Sequence, residues 1–232
     1  MGFTETLTIS HGNLLLDTLG GLVTRKVTIA ADPINKQFPT GALMGKITKG
    51  TVSKISNGAG VDGANTGTGT LTLDATAPLQ AKAKLGTYAI VITRAFAAEG
   101  TVAGAFEVYD PDGYLLGTAT IGDTWSKHIK FVLVEDGATK FVVGDAFDVT
   151  LAAGNGQLGA FNPEAVNGCD IPYGILGNPV DVEASESIGS FVYLKGKFDQ
   201  NAVSVIPGVT LENHKDTLRS LGIYLVDVQD EI

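Results

Sequence analysis

Two glycine-rich stretches bracket a run of short β-like segments, and they constrain the fold more than any other feature of the chain. Gly67-Thr-Gly-Thr70 opens the run and Ala153-Gly-Asn-Gly156 closes it. Between them, β-branched and aromatic runs predict strands at 70–75, 87–95, 105–109, 115–121, 129–134 and 146–151. Asp110-Pro-Asp-Gly113, Glu135-Asp-Gly137 and Gly144-Asp145 punctuate these runs, at the spacing of a small sandwich or barrel. About 85 residues can bury a core of their own. The matching flexible ends suit an insertion into a surface loop, which needs entrance and exit close together. The expected organisation is an N-terminal arm at 1–20, a discontinuous host domain at 21–68 and 154–232, and an inserted β-domain at 69–153.

The same logic holds outside the insert. Thirty glycines in 232 residues, with many Thr, Val and Ile, favour short strands joined by tight turns. The fold class read from the chain is therefore mainly β: a small β-rich host domain with one helix near the C-terminus, interrupted by a sandwich- or barrel-like insertion. Strands are expected at 23–30 and 41–51, the second with Leu43, Gly45 and Ile47 on one face, and at 169–176, 191–198 and 223–228. Asp32-Pro33, Asn57-Gly58 and Asp62-Gly63 read as turns. Thr210 can cap a helix that carries Leu211, Leu218 and Leu221 on one face beside His214 and stops at Gly222.

Charge and composition narrow the function classes. A net charge of −9 with scattered Lys and Arg argues against direct nucleic-acid binding, which needs clustered cations against phosphate. No apolar run is long enough to span a bilayer, so no membrane insertion is expected. The N-terminus lacks a basic region before an apolar core, and a chain made and kept in the cytosol is expected. Cys169 is the single cysteine and reads as a small buried hydrophobe within a strand.

Candidate chemistry is sparse. Asp110, Asp112 and Gly113 resemble the start of a calcium loop, but Tyr114 and Ile121 stand where further ligands belong, so a plain turn is expected and no metal. His11, His128 and His214 have no metal-ligand spacing, and no nucleophile elbow surrounds any serine. Gly58-Ala-Gly60 and Gly67-Thr-Gly69 lack the Lys-Ser/Thr of a phosphate loop. Neither a cofactor nor enzymatic activity is expected. Trp125 with Tyr109 and Tyr114 could form an aromatic platform for a glycan, against the commoner role of a lone tryptophan as core.

The flanking motifs occur in a recognisable order. They are Pro39-Thr-Gly-Ala-Leu-Met-Gly-Lys-Ile-Thr48, then Asn167-Gly-Cys-Asp-Ile-Pro-Tyr-Gly-Ile-Leu-Gly177 with Val180-Asp-Val182, then Phe191-Val-Tyr-Leu-Lys-Gly-Lys-Phe-Asp199, a Leu-spaced helix and Gly222-Ile-Tyr-Leu-Val226. In that order the chain resembles the lambda-type head decoration proteins of tailed bacteriophages, over roughly 21–58 and 155–228. It departs from them in the inserted residues, in an unusually apolar arm, and in Met44 within the Leu-Gly-Lys-Ile run.

The resemblance implies a structural virion protein, a homotrimer on the outer capsid surface that clamps neighbouring capsomers of the major capsid protein. The arm residues Phe3, Thr4, Glu5, Thr6, Leu7, Thr8 and Ile9 alternate as a strand does and are the expected capsid-binding segment. Residues 13–19, Asn-Leu-Leu-Leu-Asp-Thr-Leu, read as a helical turn or a buried extended segment, and for the arm as a whole two readings stay open: packing on its own domain, or docking on another chain. The alternative function is a display module whose insert recognises a host glycan or protein through Tyr109, Tyr114 and Trp125.

Overall fold

The computed structural model describes residues 14–17, 21–32, 37–58, 60–96, 102–135 and 139–228. The strands in chain order are β1 Leu15–Asp17, β2 Val23–Ile29, β3 Gln37–Phe38, β4 Leu43–Lys46, β5 Lys49–Ser56 and β6 Thr70–Leu73. There follow β7 Gly86–Arg94, β8 Ala105–Tyr109, β9 Leu115–Thr120, β10 Thr124–Ser126, β11 Lys130–Val134 and β12 Ala146–Ala153. The last are β13 Leu158–Ala160, β14 Pro172–Leu176, β15 Val180–Asp181, β16 Ile188–Asp199 and β17 Ile223–Val226, with helix α1 Lys215–Ser220 before β17. The protein is mainly β, and its residues form two compact units, Met1–Ile47 with Gly156–Ile232, and Thr48–Asn155.

In the discontinuous unit, β16, β14, β4, β13 and β2 pair in that order, and β2 pairs back onto β16, so five strands close on themselves. All neighbours are antiparallel except β13 and β2. Closure satisfies the main-chain groups that an open sheet would leave at its edges. Each barrel strand gives one side chain to the interior: Ile29, Met44, Leu158, Leu176 and Val192. Phe38, Val180 and Val182, around the two-residue pairing of β3 with β15, extend this cluster. Met44 is fully buried there, an unbranched side chain suited to an irregular interior.

Adjacent residues of β4, β14 and β16 point the other way and are buried as well. Leu43, Ile175 and Tyr193 form a second cluster with Leu14, Phe161, Phe198, Val203, Leu218 and Ile223. β4 therefore has two buried faces, with Leu43 turned to one core and Met44 to the other, while Ile47 lies beyond the end of the strand. Gly45 faces the Cys169 backbone so closely that a Cβ there would lie 2.6 Å from Cys169 Cα. Cys169 itself sits in a turn ahead of β14 rather than in a strand, and it is buried.

The predicted helix forms in two pieces. Leu211–His214 is a 3-10 turn, Thr210 makes no side-chain cap, and only the six residues of α1 are α-helical. A 3-10 turn advances three residues per turn, so Leu211, Leu218 and Leu221 cannot share one α-helical face. Leu218 is fully buried, whereas Leu221 is 37% exposed. The stop at Gly222 forms, with φ +85° and its N–H donating to Arg219 O.

The second unit packs a five-stranded sheet, β5-β12-β7-β8-β9, against a three-stranded sheet, β10-β11-β6. Alternate residues of β7 (Tyr88, Ile90, Ile92), β8 (Phe106, Val108) and β11 (Phe131, Leu133) are buried, the period of a half-buried strand. The unit is larger than the expected 69–153 insert. β5 had been assigned to the host by sequence, but it pairs with β12 from Lys49↔Ala153 to Ser56↔Phe147 and belongs to this sheet. As an edge strand exposed over most of its length, it carries no clean apolar alternation.

Candidate functional site

The expected capsid-binding residues Phe3, Thr4, Glu5, Thr6, Leu7, Thr8 and Ile9 lie outside the described residues. The structure does place the point where that segment joins the unit. Leu14 is 1% exposed, inside the cluster around Phe161 and Phe198, and its carbonyl accepts from Asp199 N at 3.0 Å. Leu15 pairs with Phe198 and Asp17 with Lys197. Gly20-Gly21 is thus not the start of the host domain, because residues 14–17 already contribute to its core and sheet.

The long strand β16 makes this junction. Its first part belongs to the barrel, and Gly196–Asp199 runs beyond it to pair with β1 on one side and with β17, in parallel, on the other. Leu16, Tyr224 and Val226 are exposed on this three-stranded extension. A shallow cleft of about 280 Å³ beside it is lined by Leu22, Lys195, Lys197, Tyr224 and three glycines. Gly21, Gly196 and Gly222 leave the backbone accessible on the cleft wall.

The aromatic platform expected in the second unit does not form. Trp125 is 4% exposed and packs between the sheets, its ring stacked on Phe131 at 6.4 Å and angled to Phe106 at 6.3 Å. Lys127 Nζ lies 5.1 Å from the Trp125 ring centroid and covers it further. Tyr109 is half-buried and donates its hydroxyl to Glu107 Oε2 at 2.6 Å, while Tyr114 is 70% exposed. The alternation of β10 turns Trp125 inward, so a sugar has no access to its face.

The Asp110-Pro-Asp-Gly113 turn also differs from a metal loop. Lys84 Nζ sits 2.6 Å from Asp110 Oδ2 and 2.7 Å from Asp112 Oδ2, at the centre a cation would take. Asp110 Oδ1 accepts the N–H groups of Asp112 and Tyr114, closing the turn. Lys84, and with it these amides, holds the Asp110 carboxyl below its ordinary range. Among the described residues no group of three or more acidic, His or Cys side chains has metal-site geometry.

His128, His214 and Cys169 sit in largely apolar surroundings. Burial pushes the His128 pKa down, and its Nδ1 is buried without a partner, with the ring edge-on to Tyr88 at 6.1 Å. His214 packs edge-on against Phe161 at 4.8 Å. Burial pushes the Cys169 thiol up, away from the thiolate form that a nucleophile requires. No described helix is long and apolar enough to cross a membrane.

No family model matches the chain, and no curated protein matches it either. Two crystal structures of Xanthomonas campestris FlgL, in space groups H3 and C2, are similar to 50% of it, at 20% and 21% identity and a TM-score of 0.30 each. This chain covers 34% and 33% of those structures. A likeness that weak carries no inference about fold or function.

Proposed function

We propose that this is a structural phage virion protein that trimerises on the outer capsid surface and holds neighbouring capsomers of the major capsid protein together through its N-terminal segment. The observation that carries the reading is the anchorage of residues 14–17. Leu14 is locked in the core and β1 is paired with β16 through Leu15 and Asp17. A pull on the preceding residues is thereby delivered to the barrel rather than to a loose tail. Residues 3–9 have the alternation needed to add a strand to an exposed sheet edge, where main-chain hydrogen bonds give affinity and alternate side chains give fit.

One short strand binds weakly, but three segments on one trimer act at high effective concentration and gain about 10²–10⁴ in avidity. The location and the trimer come from the resemblance to head decoration proteins. The net charge of −9 supports a site outside the packaged DNA. The display alternative loses its supporting feature with Trp125 inside the sandwich.

Co-sedimentation with undecorated heads tests the reading. The full chain is expected in the pellet, and a chain lacking residues 2–13, with Leu14 and β1 retained, in the supernatant with an unchanged circular dichroism spectrum. Equal retention of the two would exclude the segment as the clamp.

A further inference from the structure

Two cations and a phenol meet at the surface of the barrel, at the ends of its strands. Arg25 lies on the same face of β2 as Val27 and Ile29, and Lys46 on the same face of β4 as Met44, so both follow the interior-facing positions to the end of their strands. Tyr173, at the start of β14, packs partly against the same interior cluster. It brings the two cations together. Arg25 Nη1 donates to Tyr173 Oη at 3.1 Å, and Lys46 Nζ lies 5.6 Å from the Tyr173 ring centroid.

Neither cation has a carboxylate partner among the described residues. Lys84, Lys130, Lys140, Lys215 and Arg219 all do. Arg25 and Lys46 share this with most of the described basic side chains, and what sets them apart is that both meet one tyrosine. Because Arg25 donates to Tyr173 Oη, the phenolic proton is free to donate elsewhere. The cluster thus offers the remaining guanidinium N–H groups, a phenol O–H and an ammonium, with no carboxylate to take them.

We propose that Arg25, Lys46 and Tyr173 form a binding site for an oxyanion, a carboxylate or a phosphate group, at this end of the barrel. Two acceptor oxygens match the paired N–H groups of a guanidinium, and a second cation beside them raises the local potential. The Tyr173 hydroxyl fixes the guanidinium plane, which reduces the ordering needed on binding. The site belongs wholly to the discontinuous unit and does not depend on how the protein engages a capsid.

Heteronuclear NMR of the ¹⁵N-labelled full chain tests this, with inorganic phosphate in one titration and glutarate in another, both at constant ionic strength set by chloride. Saturable shifts are expected at the Arg25 side-chain Nε–H and at amides of residues 24–27 and 44–46. Half-saturation should move up at least about fivefold in R25Q and in K46Q, as expected when a charge-assisted hydrogen bond is lost. K46R should retain binding, and Y173F should weaken it less than either charge removal. Saturation by phosphate alone assigns a phosphoryl ligand, and saturation by glutarate alone or by both assigns a carboxylate-compatible one. Shifts that stay linear with concentration for both anions, or that are unchanged in R25Q and K46Q with the rest of the spectrum intact, overturn the site.

Discussion

The carboxylate of Asp145 accepts the main-chain N–H of Gly67 at 2.9 Å, tying the glycine-rich segment before β6 to the turn before β12. It also accepts from Thr66 N at 2.8 Å and Val142 N at 3.0 Å, and Asp145 is fully buried. Replacing it by alanine leaves three main-chain donors without their acceptor, that of Gly67 buried, so Asp145→Ala should destabilise the unit by about 2–3 kcal/mol. Trp125 is the only tryptophan and lies in this unit, so its fluorescence during urea unfolding reports the loss directly. A change under about 1 kcal/mol would show that the strapped loop is dispensable.

The unit boundary gives a second test. Gly156 N donates to Ile47 O at 3.1 Å, and Leu158 pairs with Lys46, so the ends at 47 and 156 already lie side by side. Replacing 48–155 with a short Gly-rich turn should join β4 and β13 as a hairpin and leave a soluble barrel with native-like circular dichroism. Removing only 69–153 should give an aggregating chain, because β5 then loses β12. If the shorter deletion folds and the longer one does not, β5 belongs with the barrel.

Acid should weaken the sandwich through His128. Burial depresses its folded pKa below the ordinary 6.5, an effect opposed by Asp110 and reinforced by Lys84, Lys82 and Lys127. The unfolded chain then binds a proton that the folded chain does not, so stability falls as pH drops below about 6.5 and levels off beneath the folded value. Asp110 acts at lower pH: its depressed folded pKa gives stability present above about 3.8 and lost as pH falls through the folded value. Urea midpoints followed by Trp125 between pH 7.5 and 5 should slope downward in the parent and flatten in H128Q. Parallel slopes in the two proteins would remove His128 as the cause.

Two lysines close the open sides of the sandwich. Lys54 of β5 donates to Leu71 O on β6, and Lys127 after β10 donates to Leu116 O on β9 at 2.8 Å. In each case a cation from one sheet occupies a carbonyl on the edge strand of the other, where a further strand could pair. The double variant K54M/K127M should self-associate with concentration beyond the parent's own state, at nearly unchanged thermal stability. Light scattering that stays the same as for the parent at every concentration would mean the edges need no such guard.

Strand runs at 105–109 and 146–151 were legible because alternation and adjacent turns are local, and both formed where they were expected. Gly222 was legible for the same reason, since a positive φ at a helix end selects glycine. Met44, an interruption of its motif by sequence, became an interior residue of the barrel. The three-residue β10 was missed because so short a run has no period, and with it the inward direction of Trp125.

The sequence by itself determined that this is a mainly β chain in two compact parts, because glycine-set turns and β-branched runs act within a few residues. Tertiary structure decided what lies beyond that reach: that β5 joins β12, that β2 closes on β16, and that Arg25 meets Tyr173 across 148 positions of chain. Those pairings depend on which edges remain unpaired and which faces remain wet once the other strands are in place. No local pattern records that balance, since an exposed edge strand and an exposed arginine look alike in sequence whether or not something distant meets them.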